Sequence, residues 1–139
     1  MSFSEQISPL LGRWLLAWFF LGDAWSRASH WSQTLAYMTL KQIPGAPLVL
    51  TLVLVVMILG SLGLILGYQT RHAALMLFGY AIAVTLWMHD YWHIADPVAR
   101  ADEFGLFARN IAIAGGMLLL VGMGPGPFAI DNAGGGKKR

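Results

Sequence analysis

Four long hydrophobic segments, separated by short polar connections, make up most of the chain. Each segment is close to the roughly 20 residues that an α-helix needs to cross about 30 Å of lipid hydrocarbon. The segments cover residues 9–25, 48–68, 73–89 and 104–122. This pattern predicts an all-α protein, a four-helix bundle integral to a membrane, in a single domain of residues 1–127.

The connection between the first two segments, residues 26–47, is predicted to contain a further helix. Its larger apolar residues Trp31, Leu35 and Met38 recur at intervals of four and three among Ser, Gln and Thr. That spacing is typical of an amphipathic helix lying in the plane of the membrane interface. We therefore expect an interfacial helix between the first and second spans.

The composition agrees with a chain that is surrounded by lipid. With 57% hydrophobic residues, 12% charged residues and a mean hydropathy of +0.61, the chain has too few polar side chains to cover a water-soluble globule. The first segment lacks the cleavage pattern of a secretory signal, so it is expected to remain as a span. The chain has no cysteine, which excludes disulfides, thiolate nucleophiles and iron–sulfur ligation by this chain.

The basic residues bear on membrane orientation rather than on nucleic-acid binding. The formal charge is +2, but three of the nine basic residues end the chain as Lys137, Lys138 and Arg139. Residues 128–139 are otherwise rich in glycine, so a flexible basic tail is expected. An even number of spans places both termini on one side, and the positive-inside rule predicts that this side is the cytoplasm. No nucleic-acid partner is expected.

A cluster of polar side chains is predicted at the opposite, outer face. Asp23, His89, Arg109 and Asn110 come from three different spans and lie at similar depth. Charged groups within a membrane are costly, so they tend to pair with one another or to mark a functional site. The opposite charges of Asp23 and Arg109 predict an ion pair between the first and fourth spans.

This cluster has a structural and a functional interpretation. In the structural one, the ion pair fixes the register of the helices. In the functional one, Arg109 and Asn110 with His89 and Asp23 bind a quinone carbonyl, an oxyanion or a lipid phosphate, because arginine offers several fixed donors. Trp92 and its aromatic neighbours would then supply an apolar wall for a ring or a tail. A quinone is the one cofactor that this interpretation suggests.

A metal or haem site is a further alternative. His89 and His93 are four residues apart and would share a face if the third helix continued through them. A third metal ligand could come from Asp90, Asp96 or Glu103. The spacing arises easily by chance, and haem would need axial ligands that face each other across the bundle, so no metal site is assigned. No catalytic residue is assigned either.

Several segments together resemble the DoxX family. The resemblance runs over nearly the whole chain, and its motifs are more specific as a set than singly. They are Arg13 with Phe19, Phe20 and Arg27, residues 59–71, residues 89–92, and residues 107–116. The resemblance implies a four-helix integral protein of the bacterial inner membrane. Members of the family are often subunits or partners of membrane oxidoreductases.

The chain departs from the family pattern in the second span. Many DoxX proteins carry a glutamate three residues before the first glycine of the run in this span, where this chain has Met57. The difference weakens a role in proton-coupled chemistry by this chain alone. Asp23, at a position where members often have a small or neutral polar residue, is a candidate substitute carboxylate on a different helix.

Two functions from different classes follow from the sequence. The first is a membrane subunit associated with an oxidoreductase or respiratory-type complex, with a quinone or small-substrate site at the outer face. The second is a non-catalytic structural or assembly subunit that docks on a larger membrane protein complex. Membrane lipids and other membrane protein subunits are the partners expected in both cases.

Overall fold

The computed structural model describes residues 2–133, and within that range the chain is predominantly helical and has no strand. The helices are α1 (Phe3–Ser29), α2 (Trp31–Leu40), α3 (Ala46–Leu66), α4 (Thr70–Met88), α5 (Pro97–Met123) and α6 (Ile130–Ala133). A single 3₁₀ turn, Tyr91–His93, lies between α4 and α5. The prediction of an all-α fold is confirmed.

The four long helices form an antiparallel bundle. α3 packs against both α1 and α4, and α4 packs against α5. α1 and α5 also contact each other, so that the four helices enclose a common core. The guanidinium of Arg109 lies over the phenyl ring of Phe19, and Gly116 faces Leu16. We call the end of the bundle where α1 and α4 finish the Asp23 end. The opposite end, where α1 begins, is the Arg13 end.

Small and large apolar side chains alternate in the core of the bundle. Ala17, Ala74 and Leu77 are fully buried there, together with Met57. Gly60 allows α3 to pack closely on α4, because a Cβ at this position would lie 2.7 Å from Cγ of Leu77. As in other membrane bundles, small residues allow the helices to come close enough for van der Waals packing.

Three stretches of the described chain are long and apolar enough to cross a membrane: Ala46–Leu66, Thr70–His93 and Pro97–Met123. They overlap almost all of the second predicted span and contain the third and fourth. The fourth long helix, α1, has sufficient length at 27 residues but is less apolar, since it carries the charged residues Glu5, Arg13, Asp23 and Arg27. A helix satisfies all of its own backbone groups in lipid, which is the physical reason for this architecture.

The first helix begins at Phe3 rather than near residue 9. The Ser2 hydroxyl accepts a hydrogen bond from the N–H of Glu5 at 3.3 Å, and the Glu5 carboxylate accepts one from the N–H of Ser2 at 2.7 Å. This reciprocal capping box satisfies two N–H groups that the helix would otherwise leave unpaired. Pro9 therefore lies inside α1 instead of in its first turn.

The short helix α2 is the helix predicted between the first and second spans. Its Met38 is buried with Leu50 of α3 and Met88 of α4. The hydroxyl of Tyr37 donates a hydrogen bond to the carbonyl of Met88 at 3.1 Å. The apolar side of α2 thus covers α3 and α4 at the Asp23 end of the bundle.

The segment after α5 folds back onto the Arg13 end. The carboxylate of Asp131 accepts hydrogen bonds from the N–H groups of Gln69 and Thr70, at 2.6 and 2.9 Å. The N–H of Asp131 in turn donates to the carbonyl of Gly67 at 2.9 Å. Asp131 therefore acts as a cap for the start of α4, where N–H groups have no partner within the helix.

A second contact fixes the same segment. The buried guanidinium of Arg13 donates a hydrogen bond to the carbonyl of Phe128. Residues 128–133, the first part of the expected flexible tail, therefore contact the bundle, and the hydrogen bonds of Arg13 and Asp131 offset part of the entropy lost in ordering them. Residues 134–139, which include Lys137, Lys138 and Arg139, lie outside the described residues.

Candidate functional site

An ion pair and a phenol form the polar centre of the Asp23 end. Nε of Arg27 donates a hydrogen bond to Oδ2 of Asp23 at 3.0 Å, one turn away on α1. The hydroxyl of Tyr80, on α4, donates to the same oxygen at 3.2 Å. The three side chains connect α1 to α4, and the two charges compensate each other.

The predicted ion pair between Asp23 and Arg109 is wrong. Asp23 pairs with Arg27 instead of Arg109, because residues four apart on a helix are close neighbours. The guanidinium of Arg109 lies 5.4 Å from the ring centroid of Phe19, a cation–π contact, and its Nη2 is 3.5 Å from Oδ1 of Asn110. Arg109 is therefore held mainly by an aromatic face at the surface of the bundle.

Four of the five predicted site residues nevertheless line one small cavity: Asp23, His89, Arg109 and Asn110. The cavity measures about 20 Å³, which is about the space that one water molecule needs. The structure brings these four side chains together. The space between them is too small for a quinone ring.

The two histidines make separate contacts with carboxylates. Nδ1 of His89 lies 2.6 Å from Oε1 of Glu103, on α5, and Nδ1 of His93 lies 3.0 Å from Oδ2 of Asp90. Since α4 ends at Met88, the histidines do not share the face of one continuous helix. Among residues 2–133 no three His, Cys, Asp or Glu side chains converge in a way that could hold a metal ion.

Trp92, the fifth predicted site residue, lies apart from the other four. It belongs to the 3₁₀ turn, is about half exposed, and packs edge-on against Tyr91 and Phe107 with ring centroids 5.3 and 6.1 Å apart. The ammonium of Lys41 donates a hydrogen bond to the carboxylate of Asp90 next to this turn, and that bond raises the pKa of Lys41. Trp92 therefore contributes to an aromatic cluster that packs the turn onto α5.

A larger cavity lies beside the small one, between α2, α3 and α4. Its volume is about 300 Å³, and most of its walls are aliphatic or methionine side chains. Arg27 and Tyr80 line both cavities, so the two meet at these side chains. The N–H of Trp87, which also lines the larger cavity, is already bound to the carbonyl of Lys41 at 3.0 Å. We call this larger cavity the Arg27 pocket.

Arg27 is the side chain that has donors available in this pocket. Its Nε is bound to Asp23, and its guanidinium also interacts with the hydroxyl of Tyr80, which leaves further N–H groups that can donate to a ligand. A volume of a few hundred Å³ with apolar walls and a few convergent polar groups is typical of small-molecule sites in proteins. The Arg27 pocket can therefore accept a largely apolar ligand that carries a hydrogen-bond acceptor.

Sequence reasoning missed Arg27 and Tyr80, although each carries a signal. Arg27 stands four residues after Asp23, a spacing that brings opposite charges together on adjacent turns of one helix. Tyr80 lies in the middle of an apolar span, and the hydroxyl of a buried tyrosine usually has a hydrogen-bond partner. Pairing Asp23 with a residue of its own helix would have located the polar centre correctly.

Several known proteins are similar in sequence to this chain. The inner membrane protein YqjF of Escherichia coli (strain K12) is 30% identical over 127 residues, which cover 91% of this chain and 92% of that protein. The inner membrane protein YphA of the same organism is 25% identical over 128 residues, 92% of this chain and 91% of that protein. The Surfeit locus protein 4 homolog of Drosophila melanogaster is 27% identical over 129 residues, 91% of this chain but 41% of that protein. No solved structure matches the chain significantly.

Two family models match the chain. The SURF4 family model matches residues 61–139, and the DoxX model matches residues 8–90, which is more than half of the chain. The resemblance noted in the sequence is therefore confirmed, and the bacterial relatives support a location in a membrane. The chain belongs to the DoxX family of membrane proteins.

Proposed function

We propose that this DoxX-family protein is a membrane subunit associated with an oxidoreductase, and that it binds the carbonyl head of a quinone in the Arg27 pocket. The observation that carries the proposal is the pocket itself, about 300 Å³ of almost entirely apolar space with Arg27 among the residues that line it. The chain has no cysteine, so the partner oxidoreductase would exchange electrons with the quinone. The role of this chain would be to bind and orient the quinone.

The charges around Arg27 favour a neutral acceptor. Asp23 already compensates the positive charge of Arg27, so an anionic ligand would gain little Coulomb energy in the pocket. A quinone carbonyl is neutral and accepts the kind of hydrogen bond that a guanidinium can donate. Asp23 would act as a positioning residue for Arg27, and Tyr80 would hold Asp23 in place through its hydroxyl.

The Arg109 cluster is the competing location for the same head group. Arg109, Asn110 and His89 line a cavity of about 20 Å³, so a ring could enter only if side chains around this cavity moved apart. Both locations lie next to Asp23. Variants of the two arginines therefore distinguish them.

A non-catalytic structural or assembly subunit is the second candidate. It is favoured by the polar groups of the Asp23 end that bind one another, Arg27 and Tyr80 with Asp23, and His89 with Glu103. Interhelical hydrogen bonds of this kind can serve to fix helix packing alone. In that role, the exposed apolar side chains of the bundle would contact a larger membrane complex.

The test compares the wild-type protein with Arg27→Lys and Arg109→Lys, each extracted in mild detergent. Lysine keeps the positive charge but lacks the planar set of donors. We expect Arg27→Lys to weaken quinone binding about tenfold or more, since a hydrogen bond to a charged group contributes roughly 1.5–3 kcal/mol. Arg109→Lys is the matched control and should bind as the wild type does. Bound quinone is measured by mass spectrometry and affinity by titration.

The other outcomes are equally informative. Loss of quinone in Arg109→Lys but not in Arg27→Lys would place the head group in the Arg109 cluster. A wild-type protein that holds no quinone and co-purifies in fixed stoichiometry with a larger assembly would favour the structural role.

A further inference from the structure

We infer that the surface groove between α3 and α4 holds the linear apolar tail of the same quinone, so that the ligand is a long-chain membrane quinone. The inference rests on the proposed function, because the head group in the Arg27 pocket is what would fix the tail in place. The inference adds a subsite for the tail to the proposed subsite for the head group. It also restricts the ligand to quinones with a long tail.

The groove is continuous with the Arg27 pocket. It has a volume of about 410 Å³ and lies along the contact between α3 and α4. Val49, Val53, Tyr80 and Ala83 line both the groove and the pocket. The residues that line the groove, which we call the tail groove, are Val49, Leu52, Val53, Val56, Leu75, Met76, Gly79, Tyr80 and Ala83.

The length of the combined site suits a linear chain. Along α4 it extends from Trp87 in the Arg27 pocket to Leu75 in the tail groove, a distance of about 18 Å at the rise of an α-helix. That is rather more than half of the roughly 30 Å of hydrocarbon in a bilayer. A tail in the groove would therefore run beside α4 over the depth of about one leaflet.

The chemistry of the groove selects an apolar chain with a polar head at one end only. No charged side chain lines it, and the one polar side chain, Tyr80, directs its hydroxyl to Asp23 at 3.2 Å. Lipid tails are as apolar as a quinone tail, so burial from lipid supplies little driving force by itself. The quinone tail would be favoured over the tails of surrounding lipids for two reasons. Its head group is bound to Arg27, and its linear chain fits the concave surface between α3 and α4.

Gly79 offers a way to fill the groove without disturbing the bundle. It lines the tail groove, and a Cβ added there would have no atom within 4 Å. Gly115 on α5 is the matched control, because a Cβ there also meets nothing within 4 Å and the residue lines neither the groove nor the Arg27 pocket. Leucine at either position replaces a helix-interior glycine by a better helix former.

The experiment measures the binding of two quinones that share one ring and carry either a methyl group or a decyl chain. Wild-type protein and Gly115→Leu should bind the decyl form at least about tenfold more tightly than the methyl form, because a chain that fits the groove gains van der Waals contacts with α3 and α4. In Gly79→Leu the leucine side chain would occupy the groove, so the two quinones should bind with similar affinity. The affinity for the methyl form should stay the same as in the wild type. Equal thermal stability of the two variants in detergent establishes that both are folded.

Each alternative result has a distinct meaning. If the methyl form binds and Gly79→Leu leaves the preference for the decyl form intact, the tail groove is wrong and the proposed function stands. If neither quinone binds to the wild-type protein, the proposed function itself fails. If a phospholipid co-purifies with the wild type, is lost in Gly79→Leu, and quinone binding does not change, the groove is a lipid site and the inference is overturned.

Discussion

At the scale of single residues, the Arg13 end depends on one arginine and one glycine. Arg13 is completely buried, and its Nε and Nη1 have no hydrogen-bond partner among residues 2–133. A buried charge is costly unless other groups compensate it. The guanidinium fits because Gly67, at the end of α3, has a positive φ of 66° and no side chain to occupy the space next to Nη1.

We expect Gly67→Ala to lower the free energy of unfolding by about 1–3 kcal/mol, because the added Cβ is strained at this φ. It would also overlap Nη1 of Arg13 and lie 2.7 Å from Cα of Ala129. Gly12→Ala on α1 is the control, since a Cβ there has nothing within 4 Å. This control should stabilise α1 by up to about 1 kcal/mol. Thermal unfolding in detergent measures both effects, and equal melting temperatures would contradict the role of Gly67.

At the scale of elements, the segment 124–133 is held by a titratable cap. Burial raises the pKa of the Asp131 carboxyl, but the N–H groups of Thr70 and Gln69 outweigh this effect and lower the pKa below its ordinary value. A carboxylate whose folded-state pKa is lowered stabilises the docked state above its unfolded value of roughly 3.9. That contribution is lost as the pH falls through the folded-state pKa.

Docking of segment 124–133 should therefore weaken under acid conditions. A spin label on Ala133→Cys, in a chain that has no native cysteine, should be immobile at neutral pH and should become mobile as the pH falls below about 4. In the background of Asp131→Asn the label should be more mobile at neutral pH and should respond less to pH. A label that stays immobile down to the lowest pH would show that Asp131 does not hold the segment.

At the scale of the whole molecule, we propose that the chain crosses the membrane four times. α3, α4 and α5 are long and apolar enough to cross a membrane, and we propose that α1 is a fourth crossing because it packs along α3 in the same bundle. Four crossings would put both ends of the chain on one side. The basic residues predict that this side is the cytoplasm.

Single cysteines at exposed positions at the two ends of the bundle test this topology: Ser4→Cys, His93→Cys and Ala133→Cys. An impermeant maleimide should label His93→Cys in intact cells, and the other two only after permeabilisation. Labelling of Ser4→Cys together with His93→Cys would mean that α1 does not cross. Labelling of Ala133→Cys from outside would reverse the proposed orientation.

Particular residues show how far the sequence predicts the candidate site. Asp23, His89, Arg109 and Asn110 do meet around one cavity, because their depth in each span follows from helix geometry alone. Their partners were not predictable in the same way. Whether Asp23 binds Arg109 across the bundle or a residue of its own helix depends on how the helices are rotated, which hydropathy does not specify.

The sequence by itself determined what depends on local chemistry: the helices, their approximate limits, the membrane as their environment and the family. Segment length and hydropathy are properties of consecutive residues, so they can be read without knowing the fold. Only the tertiary structure decided which side chains share space, including the pairing of Asp23 with Arg27, the docking of Asp131 onto α4 and the Arg27 pocket. These features depend on helix rotation and on contacts between residues far apart in the chain, which no local pattern encodes.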